Sequence, residues 1–444
     1  MIHRTVSEWS YLPIEPPSDG AFTRDHADRL IAIAGATDLG GSDGARIFTD
    51  HHRRLRAQQV VGLIAAQGCS VEILPKIEGL GTGEDEASRT NIRGRLIHML
   101  AAAYDIDLAT GEAASLGSQK HTILEILIGL FCDRLNDALR EGMPRRYVAQ
   151  EDDLAVLRGR LDVQRQFTTL AFSPQKMACR FEDLTADIPL NQVFKAAIGR
   201  LARVSSSAAN QRRLRELELI YADISPVPVK ALRWDAIILD RTNHRWRALR
   251  DLARLLLQGD YQTTSHGHAA GFSLLFPMND LFEIYVARML AKALKGTDLS
   301  VRAQDRRHYC LVDPGGSRRF QVRPDIVVHR GSETVMVIDT KWKRISDRIE
   351  DPKQGVAQAD VYQMMAYSRL YDCSRVMLLY PHHAGLNSHG ETGRYRMAGC
   401  DHELVTATVD IATPSIREQL RLLCADCFLD QAAPTFPRHA EVGG

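Results

Sequence analysis

The segment VMVIDTKWKR, residues 335–344, places an acid and a base at the end of an apolar run. Asp339 and Lys341 are two positions apart, and residues with that spacing on an extended strand point to the same face of the sheet. Isolated charges are costly to bury, but a strand end that lines a cleft can hold such a pair. The pattern therefore predicts an acid and a base that share one face at a site where both have a chemical use.

A second acid precedes this pair. Asp325 follows Pro324, and proline suits a strand start or a bulge. Asp325 and Asp339 are 14 positions apart, enough for a strand, a turn containing Gly331 and a return strand. Such a hairpin brings the two carboxylates together if its register permits. Converging carboxylates repel each other unless a cation separates them, and oxygen ligands suit Mg²⁺, so we expect a magnesium site here.

This set of groups suits the hydrolysis of a phosphodiester. Bound Mg²⁺ lowers the pKa of a water ligand and stabilises charge on a phosphate. We expect Lys341 to orient or deprotonate the attacking water, with its pKa depressed by the metal and by surroundings poor in solvent. The backbone carbonyl of Thr340 is a further candidate metal ligand, although its side chain is predicted to point to the other face. Lys343 and Arg344 are candidate phosphate contacts or, alternatively, a solvated strand end.

Two helical segments add polar groups. In NDLFEIYVARMLAKALK, Glu283 lies among apolar residues and on the side away from the Arg and Lys stripe, so the metal is a candidate partner for it. In DVYQMMAYSRLY, Gln363 and Tyr367 are four apart and share a helix face, where they could bind a phosphate or brace an acid. Taken singly, each has a more ordinary explanation, either a helix acid paired with a neighbour or a contact at the edge of the core.

The composition limits the class of protein. The chain has 444 residues, is 45 % hydrophobic and carries a formal net charge of +1, so no global basic field indicates a nucleic-acid partner, although a local basic groove would suffice. Its apolar runs are too short for a membrane span, and no secretory signal is visible at its start. With eight scattered cysteines, we expect a reduced cytoplasmic protein. The pair Cys424 and Cys427 lacks the partners of a zinc site and is expected to be structural.

The chain divides into an N-terminal part with mixed strands, a run of helices, and a C-terminal part in which helices and strands alternate. The stretch QQVVGLIAAQGCSVEILPKI reads as a hairpin, and GDYQTTSHGHAAG, residues 259–271, as a linker. The predicted divisions are 1–165 (mixed α/β, partner docking), 166–258 (helical), 272–430 (the C-terminal catalytic unit) and 431–444 (tail).

The order of Glu283, Pro324-Asp325, Asp339-x-Lys341 and Gln363-xxx-Tyr367 resembles that of the PD-(D/E)xK nuclease superfamily. The local sequences are more specific. FPMNDLFEIYVARML, RPDIVV, VIDTKWK and DVYQMMAY are similar to the McrC family, the nuclease subunit of McrBC-type modification-dependent restriction systems. Nearer the start, VGLIAAQGCSVEILPKI, LRGRLDV and CRFEDLTADIPLNQVFK resemble the same family, so the likeness covers most of residues 50–385. It implies an α/β protein, α+β overall, in which a mixed β and helical N-terminal region precedes a restriction-endonuclease-like domain.

The resemblance also implies a function. A McrC-like chain cuts methylcytosine-containing DNA with Mg²⁺ in an anti-phage system, and its partner is a McrB-like hexameric AAA+ GTPase whose GTP hydrolysis it stimulates. It carries over Asp325 and Asp339 as metal ligands, Lys341 as the catalytic lysine, Glu283 as the upstream acid, and Gln363 and Tyr367 as accessory residues. The chain has no nucleotide-binding loop of the G-x-x-x-x-G-K-[ST] type, so the GTP is expected to be bound by the partner.

Two other functions are compatible with the sequence. The chain could activate the motor while its nuclease fold only holds DNA, because about 258 residues precede the linker. It could also be a PD-(D/E)xK repair nuclease that acts alone. The docking residues are not identified by any motif. The Gly-rich segment 79–90 and the basic HHRRLR at 51–56 are the candidates.

Overall fold

The computed structural model describes residues 2–37, 39–41, 43–77, 85–106, 122–173, 175–240, 243–258, 271–346, 348–351 and 355–425. Several regions interpreted from the sequence lie outside these ranges. They are residues 79–84 of the Gly-rich segment 79–90, the predicted linker apart from Gly271, Cys427, and the tail 431–444.

The α-helices of the described residues follow the apolar periodicity of the sequence. They are Arg24–Gly35 (α1), Glu86–Ala103 (α2), Ile123–Arg140 (α3), Val163–Phe167 (α4), Pro189–Val204 (α5), Ala208–Ile220 (α6), Trp246–Gln258 (α7), Met278–Ala293 (α8), Gln358–Leu370 (α9) and Ile416–Leu423 (α10). Local chemistry sets several of their starts. Asp85 caps α2 by accepting a hydrogen bond from Ser88 N, and Pro189 occupies the first turn of α5, where its missing N–H costs nothing.

Within the described ranges the strands are short and fall into five sheets. They are Ile2–Ser7 (β1), Tyr11–Pro13 (β2), Phe48–Asp50 (β3), Arg54–Ala57 (β4), Val60–Ala66 (β5), Cys69–Leu74 (β6), Arg146–Leu154 (β7), Arg160–Leu161 (β8), Met177–Thr185 (β9), Gly271–Pro277 (β10), Leu299–Ala303 (β11), Tyr309–Val312 (β12), Arg318–Gln321 (β13), Ile326–Arg330 (β14), Glu333–Thr340 (β15), Arg375–Pro381 (β16), Gly390–Arg396 (β17) and Glu403–Val409 (β18).

The N-terminal sheet has the strand order β1-β6-β5-β10. The predicted hairpin is present as β5 and β6, which pair antiparallel on either side of Gln67 and Gly68. The fourth strand, β10, comes from beyond the predicted linker and pairs antiparallel with β5. Gly62 in β5 has a φ of 126°, and a Cβ there would collide with the Leu274 carbonyl oxygen, so this close pairing requires glycine.

The C-terminal sheet has six strands in the order β11-β14-β15-β16-β18-β17. Its centre is parallel, from β15 through β16 to β18, and its outer pairs are antiparallel. Helix α9 connects β15 to β16 and packs on both strands, while α8 packs on the opposite side, against β15, α2 and α10. The alternation along β15 follows this division, because Ile338 joins the core beneath α8 and Val337 joins the core beneath α9.

One apolar core connects the parts of the chain. It contains Leu96 of α2, Phe194 of α5, Phe282 of α8 and Ile338 of β15. The helices α3 and α6 are joined by a buried acid, Glu125, which accepts hydrogen bonds from Ser205 Oγ at 2.9 Å and Asn210 Nδ2 at 2.8 Å.

The predicted fold class is confirmed, since a mixed β and helical N-terminal region precedes a C-terminal mixed sheet flanked by helices. Strand β9, Met177–Thr185, pairs with β7 and β8, so strands on both sides of residue 165 form one sheet. The division into 1–165, 166–258, 272–430 and 431–444 stays a prediction.

Candidate active site

The two predicted acids lie across from each other at the end of the β14–β15 hairpin. The pair of this antiparallel register farthest from the turn is Ile326 with Ile338, and the next positions outward are Asp325 and Asp339. The turn contains Gly331 with a φ of 60°, as the sequence predicts. The predicted hairpin and turn are therefore present, and the register, which the sequence left open, places the two acids at facing positions.

Asp325 is fixed by the residue that follows Asp339. Its Oδ2 accepts hydrogen bonds from Thr340 N at 2.7 Å and from Thr340 Oγ1 at 2.8 Å. Its own carbonyl oxygen accepts a hydrogen bond from Gln304 N at 2.8 Å. The hydroxyl contact was not predicted. The role of the Thr340 carbonyl as a metal ligand stays a prediction.

Lys341 shares a face with Asp339, as strand alternation requires. Its Nζ lies 2.8 Å from Asp339 Oδ2, and its backbone N–H donates to Leu379 O of β16 at 2.9 Å. The side chain of Asp339 is almost fully buried and that of Lys341 is a quarter exposed. The pair therefore lies at the boundary between the core and solvent.

Helix α9 brings the predicted accessory residues to this pair. Gln363 Nε2 donates to Asp339 Oδ1 at 3.3 Å and to Tyr367 OH at 2.7 Å. Gln363 Oε1 accepts a hydrogen bond from Lys341 Nζ at 3.4 Å. One amide thus contacts the acid, the base and the tyrosine, which agrees with the predicted shared helix face.

Asp360 belongs to the same cluster and was missed from the sequence. Its Oδ1 lies 3.3 Å from Lys341 Nζ, and its Oδ2 lies 2.8 Å from Lys343 Nζ. Asp360 precedes Gln363 by three positions, so it occupies the same face of α9. The spacing Asp-x-x-Gln-x-x-x-Tyr was the available signal, and extending the Gln363–Tyr367 pattern back by one turn would have found it.

Glu283 lies near the cluster without joining it directly. It is half-buried on α8, hydrogen-bonds to Gln304, and its charge raises the pKa of Asp325. Gln304 adopts a left-handed φ of 53°, and its backbone N–H contacts Asp325, so it connects the two acids. Among the residues that the structure describes, no three His, Cys, Asp or Glu side chains are arranged to hold a metal ion.

The electrostatics of the site are those of buried, mutually repelling acids. Burial, followed by repulsion from Asp325, raises the pKa of Asp339 to about 6. Burial, followed by repulsion from Glu283, raises the pKa of Asp325 to about 6. Burial alone would lower the pKa of Lys341, but the carboxylates of Asp339 and Asp360 outweigh it and the net shift is upward. The depression expected beside a bound metal stays a prediction, because this upward shift comes from the two acids around the ammonium group alone.

The donor set fits a magnesium ion held by two protein carboxylates. Asp339 Oδ2 is buried and receives no hydrogen bond of good geometry within the described ranges, although Lys341 Nζ is 2.8 Å away. Mg²⁺ usually takes one or two carboxylates and completes its shell with water and substrate phosphate oxygens. Asp325 and Asp339 meet that requirement, and a third protein acid is not needed.

The remaining candidates are on the surface. Lys343 and Arg344 are exposed, and Lys343 pairs with Asp360. In the basic segment 51–56, the Arg54 guanidinium lies 3.8 Å from the centre of the Tyr11 ring, so part of this segment packs on an aromatic side chain. Cys424 is buried. None of the helices in the described part of the chain is long and apolar enough to cross a membrane.

Together, the fold and the site define an α+β protein with a nuclease-like C-terminal sheet. The family described as McrBC 5-methylcytosine restriction system component matches residues 55–381, well over half of the chain, and the protein belongs to that family. The resemblance to McrC noted from the motifs is thereby confirmed. Comparison with curated proteins gives no match.

Two solved structures share the fold. A chain from the refined half-complex of the tetradecameric assembly of Thermococcus gammatolerans McrB AAA+ hexamers with bound McrC has a TM-score of 0.65 and 19 % identity, over 96 % of this chain and 100 % of that one. A chain from the cryo-EM structure of the T. gammatolerans McrBC complex has a TM-score of 0.51 and 22 % identity, over 66 % of this chain and 88 % of that one. At such identities the likeness shows a common fold.

Proposed function

We propose that this chain is the Mg²⁺-dependent DNA endonuclease subunit of a McrBC-like restriction system. It cuts DNA that contains methylcytosine when an AAA+ GTPase partner activates it, and it stimulates GTP hydrolysis by that partner. The observation that carries the proposal is the cluster at the end of β15. Asp325 and Asp339 occupy facing positions of the hairpin, and the amide of Gln363 contacts both Asp339 and Lys341.

The proposed roles follow from the contacts. Asp325 and Asp339 would hold Mg²⁺, which supplies charge neutralisation at the phosphate and a water of lowered pKa. Lys341 remains a cation, since its pKa is raised, so it stabilises negative charge on the phosphate and orients water rather than removing a proton. Gln363 fixes both side chains, and Glu283 adjusts the charge of Asp325 through their repulsion.

A basic ribbon next to the site supports DNA as the substrate. Strands β12 and β13 form a separate two-stranded sheet that ends four residues before Asp325. The ribbon and its flanks, residues 302–323, contain six Arg and two Asp, a net charge of +4, whereas the whole chain carries +1; Arg318 and Arg319 lie on the ribbon itself. Leu311, Val312 and Phe320 are exposed on it. A two-stranded ribbon fits the major groove of DNA, and arginines bind its phosphates.

A second surface supports docking on a protein partner. The sheet of β7, β9 and β8, with the short helix α4, exposes an unusual number of large apolar side chains. Eight of the nineteen found exposed in the described residues lie within residues 146–185: Tyr147, Val156, Leu157, Val163, Phe167, Phe172, Met177 and Leu184. Exposed apolar patches of this kind mark interaction sites. This sheet is a stronger docking candidate than the segments 79–90 and 51–56.

The partner proposed for this sheet is a McrB-like AAA+ hexamer, as in the T. gammatolerans assembly described above. Phe167→Ser combined with Phe172→Ser should weaken docking and reduce the stimulation of GTP hydrolysis. Leu219→Ser, an exposed leucine on α6, is the matched control. Unchanged stimulation in the double variant would remove this sheet from the interface.

The central experiment is cleavage of methylated and unmethylated DNA with the partner, GTP and Mg²⁺, each component being omitted in turn. Asp339→Ala should fold normally and lose cutting by about a thousandfold or more, several steps of ~1.4 kcal/mol in the barrier. Cutting by Asp339→Ala at the wild-type rate would overturn the site. Cutting by the chain alone would favour a stand-alone nuclease, and stimulation of the GTPase without any cutting would favour an adaptor that only holds DNA.

A further inference from the structure

A tryptophan between two lysines connects the candidate active site to the N-terminal sheet. Trp342 directly follows Lys341 and is 7 % exposed. Its indole N–H donates to Glu8 Oε1 at 2.9 Å, and its carbonyl oxygen accepts a hydrogen bond from Gln59 Nε2 at 2.8 Å. Its ring lies 5.3 Å from that of Phe282, the neighbour of Glu283 on α8. The strand end is thus held by residues more than 280 positions earlier in the chain.

Glu8 is a buried acid that the proposed chemistry does not use. It follows β1 and is 1 % exposed, and its backbone N–H donates to Leu74 O at 2.9 Å. Its Oε1 also accepts a hydrogen bond from Lys76 N at 2.9 Å, whereas its Oε2 is buried without a hydrogen-bond partner in the described part of the chain. Burial raises the pKa of Glu8 to about 7 in spite of these hydrogen bonds. Burying such a group is unfavourable, and its hydrogen bonds with Lys76 and Trp342 offset part of that cost.

Gln59 extends the same connection to α8. Its Nε2 lies 3.2 Å from Asn279 Oδ1, and its carbonyl oxygen accepts a hydrogen bond from Met278 N at 3.2 Å. One glutamine between β4 and β5 therefore contacts both the residue after Lys341 and the first turn of the helix that carries Glu283. The strand end and the helix are fixed relative to each other through the N-terminal sheet.

We propose that Glu8 and Gln59 are positioning residues for DNA cleavage. Through Trp342 and Asn279 they hold the end of β15 and the start of α8 in the arrangement that the acids and Lys341 need. In addition to any role in docking, the N-terminal region then positions the catalytic groups of the same chain. This inference rests on the proposed nuclease function, and its test includes a measurement that does not depend on cutting.

The test uses the full-length chain with Glu8→Ala, Glu8→Gln and Trp342→Phe. Glu8→Ala leaves Lys76 N and Trp342 Nε1 without their acceptor, whereas the amide oxygen of Glu8→Gln can still accept both hydrogen bonds. Hydrogen exchange, measured without Mg²⁺ or DNA, should be about tenfold faster in residues 336–345 of Glu8→Ala and unchanged in α5. Glu8→Gln should stay within about twofold of wild type. The effects of Glu8→Ala and Trp342→Phe on exchange should be non-additive in the double variant, because both substitutions remove the same hydrogen bond between Trp342 and Glu8.

The cleavage assay then measures catalysis with the partner, GTP and Mg²⁺. Glu8→Ala should lower kcat about tenfold and leave KM for DNA unchanged, since the DNA-contacting surfaces stay intact. Glu125→Ala is the matched control, because it also removes a buried acid that accepts several hydrogen bonds, but in the helical region. It should not change exchange in residues 336–345.

The possible results separate clearly. Unchanged exchange in residues 336–345 of Glu8→Ala, or a similar increase in α5, would overturn the positioning role. A loss in Glu8→Gln as large as in Glu8→Ala would also overturn it, because the hydrogen bonds would not be the cause. If exchange changes as expected but wild type fails to cut DNA, the proposed nuclease function fails while the structural connection stands.

Discussion

Oδ1 of Asp360 lies 3.3 Å from Nζ of Lys341. The first turn of α9 thus supplies a second carboxylate to an ammonium group that already pairs with the acid two positions before it on β15. Both carboxylates raise the pKa of Lys341 against the effect of burial. The lysine is therefore held as a cation between a strand and a helix, and Asp360 determines how firmly it is held.

The first prediction concerns this pairing. Asp360→Asn should slow cleavage by about tenfold, since Lys341 keeps its contact with Asp339 and loses only its second anchor. Lys341→Met should abolish cutting, because no cation remains there. Single-turnover rates on methylated DNA measure both effects. Lys343→Ala removes the other partner of Asp360 and leaves Lys341 in place, so it measures how much of the Asp360→Asn loss comes from Lys343. Equal loss in Asp360→Asn and Lys341→Met would show that Asp360 has a more direct role.

The second prediction is a dependence of stability on pH. The folded pKa of Asp325 is raised from 3.8 to about 6, so the folded chain binds more protons than the unfolded chain between these values. Stability contributed by this group is therefore complete at low pH and is lost as the pH rises through about 6. Asp325→Asn cannot ionise, and its amide oxygen can still accept both Thr340 hydrogen bonds. In EDTA it should unfold at higher urea concentration than wild type at neutral pH.

This advantage should shrink as the pH falls below the folded pKa and vanish near the unfolded one. Chemical denaturation at several pH values measures it, and Thr340→Val tests whether the hydrogen bonds to Asp325 contribute separately. An advantage of Asp325→Asn that is independent of pH would exclude ionisation as its cause. Addition of Mg²⁺ should stabilise wild type and leave Asp325→Asn unchanged, because binding of an ion to the folded state alone raises stability.

The third prediction concerns the amide of Gln363. Gln363→Ala removes contacts to Asp339, Lys341 and Tyr367 and should lower kcat by about tenfold to a hundredfold. Gln363→Glu should be at least as damaging, because it replaces the donor to Asp339 with a repelling charge. Tyr367→Phe removes only the hydroxyl at the far side of the amide and should stay within about threefold of wild type. A larger loss of kcat in Tyr367→Phe than in Gln363→Ala would contradict this prediction, because the hydroxyl would then matter more than the amide.

The fourth prediction tests the ribbon of β12 and β13. Arg318→Ala combined with Arg319→Ala should weaken DNA binding and reduce the slope of log affinity against log salt by about two, because each phosphate contact adds about one to that slope. Binding is best measured with catalytically inactive Asp339→Ala as the background. Arg212→Ala with Arg215→Ala, two exposed arginines on α6, makes the same change of charge elsewhere. Equal losses of DNA affinity in the two double variants would mean that only the overall charge matters.

The C-terminal part of the site was predictable because its signals are local. Alternation along one strand set Asp339 and Lys341 on a common face, and a hairpin of 14 positions brought Asp325 to the facing position. Helix periodicity placed Gln363 and Tyr367 together. Each of these inferences needs only a repeat of two or 3.6 residues and a turn residue, and such patterns are visible in a single sequence.

Other features were not predictable, since they depend on long-range packing. Glu8 and Trp342 are 334 positions apart, and neither carries a motif. The upward shift of the Lys341 pKa comes first from Asp339 and then from Asp360, and Asp360 reaches the lysine only after α9 packs on β15 and β16. The exposed apolar residues of β7 and β9 look like ordinary strand residues in the sequence. Their exposure follows from the absence of a covering element among the described parts of the structure.

Strand β10 determines what would happen if the chain were made as two pieces. A break between residues 258 and 271 would place β5 and β10 on different polypeptides, although they pair along seven register positions. Each piece would expose a row of unpaired backbone groups, so each would tend to aggregate by itself. Produced together, the halves should reassociate along this seam as a split protein. An N-terminal fragment intended for study with a motor partner therefore needs residues 271–277, supplied either as an added strand or as a peptide.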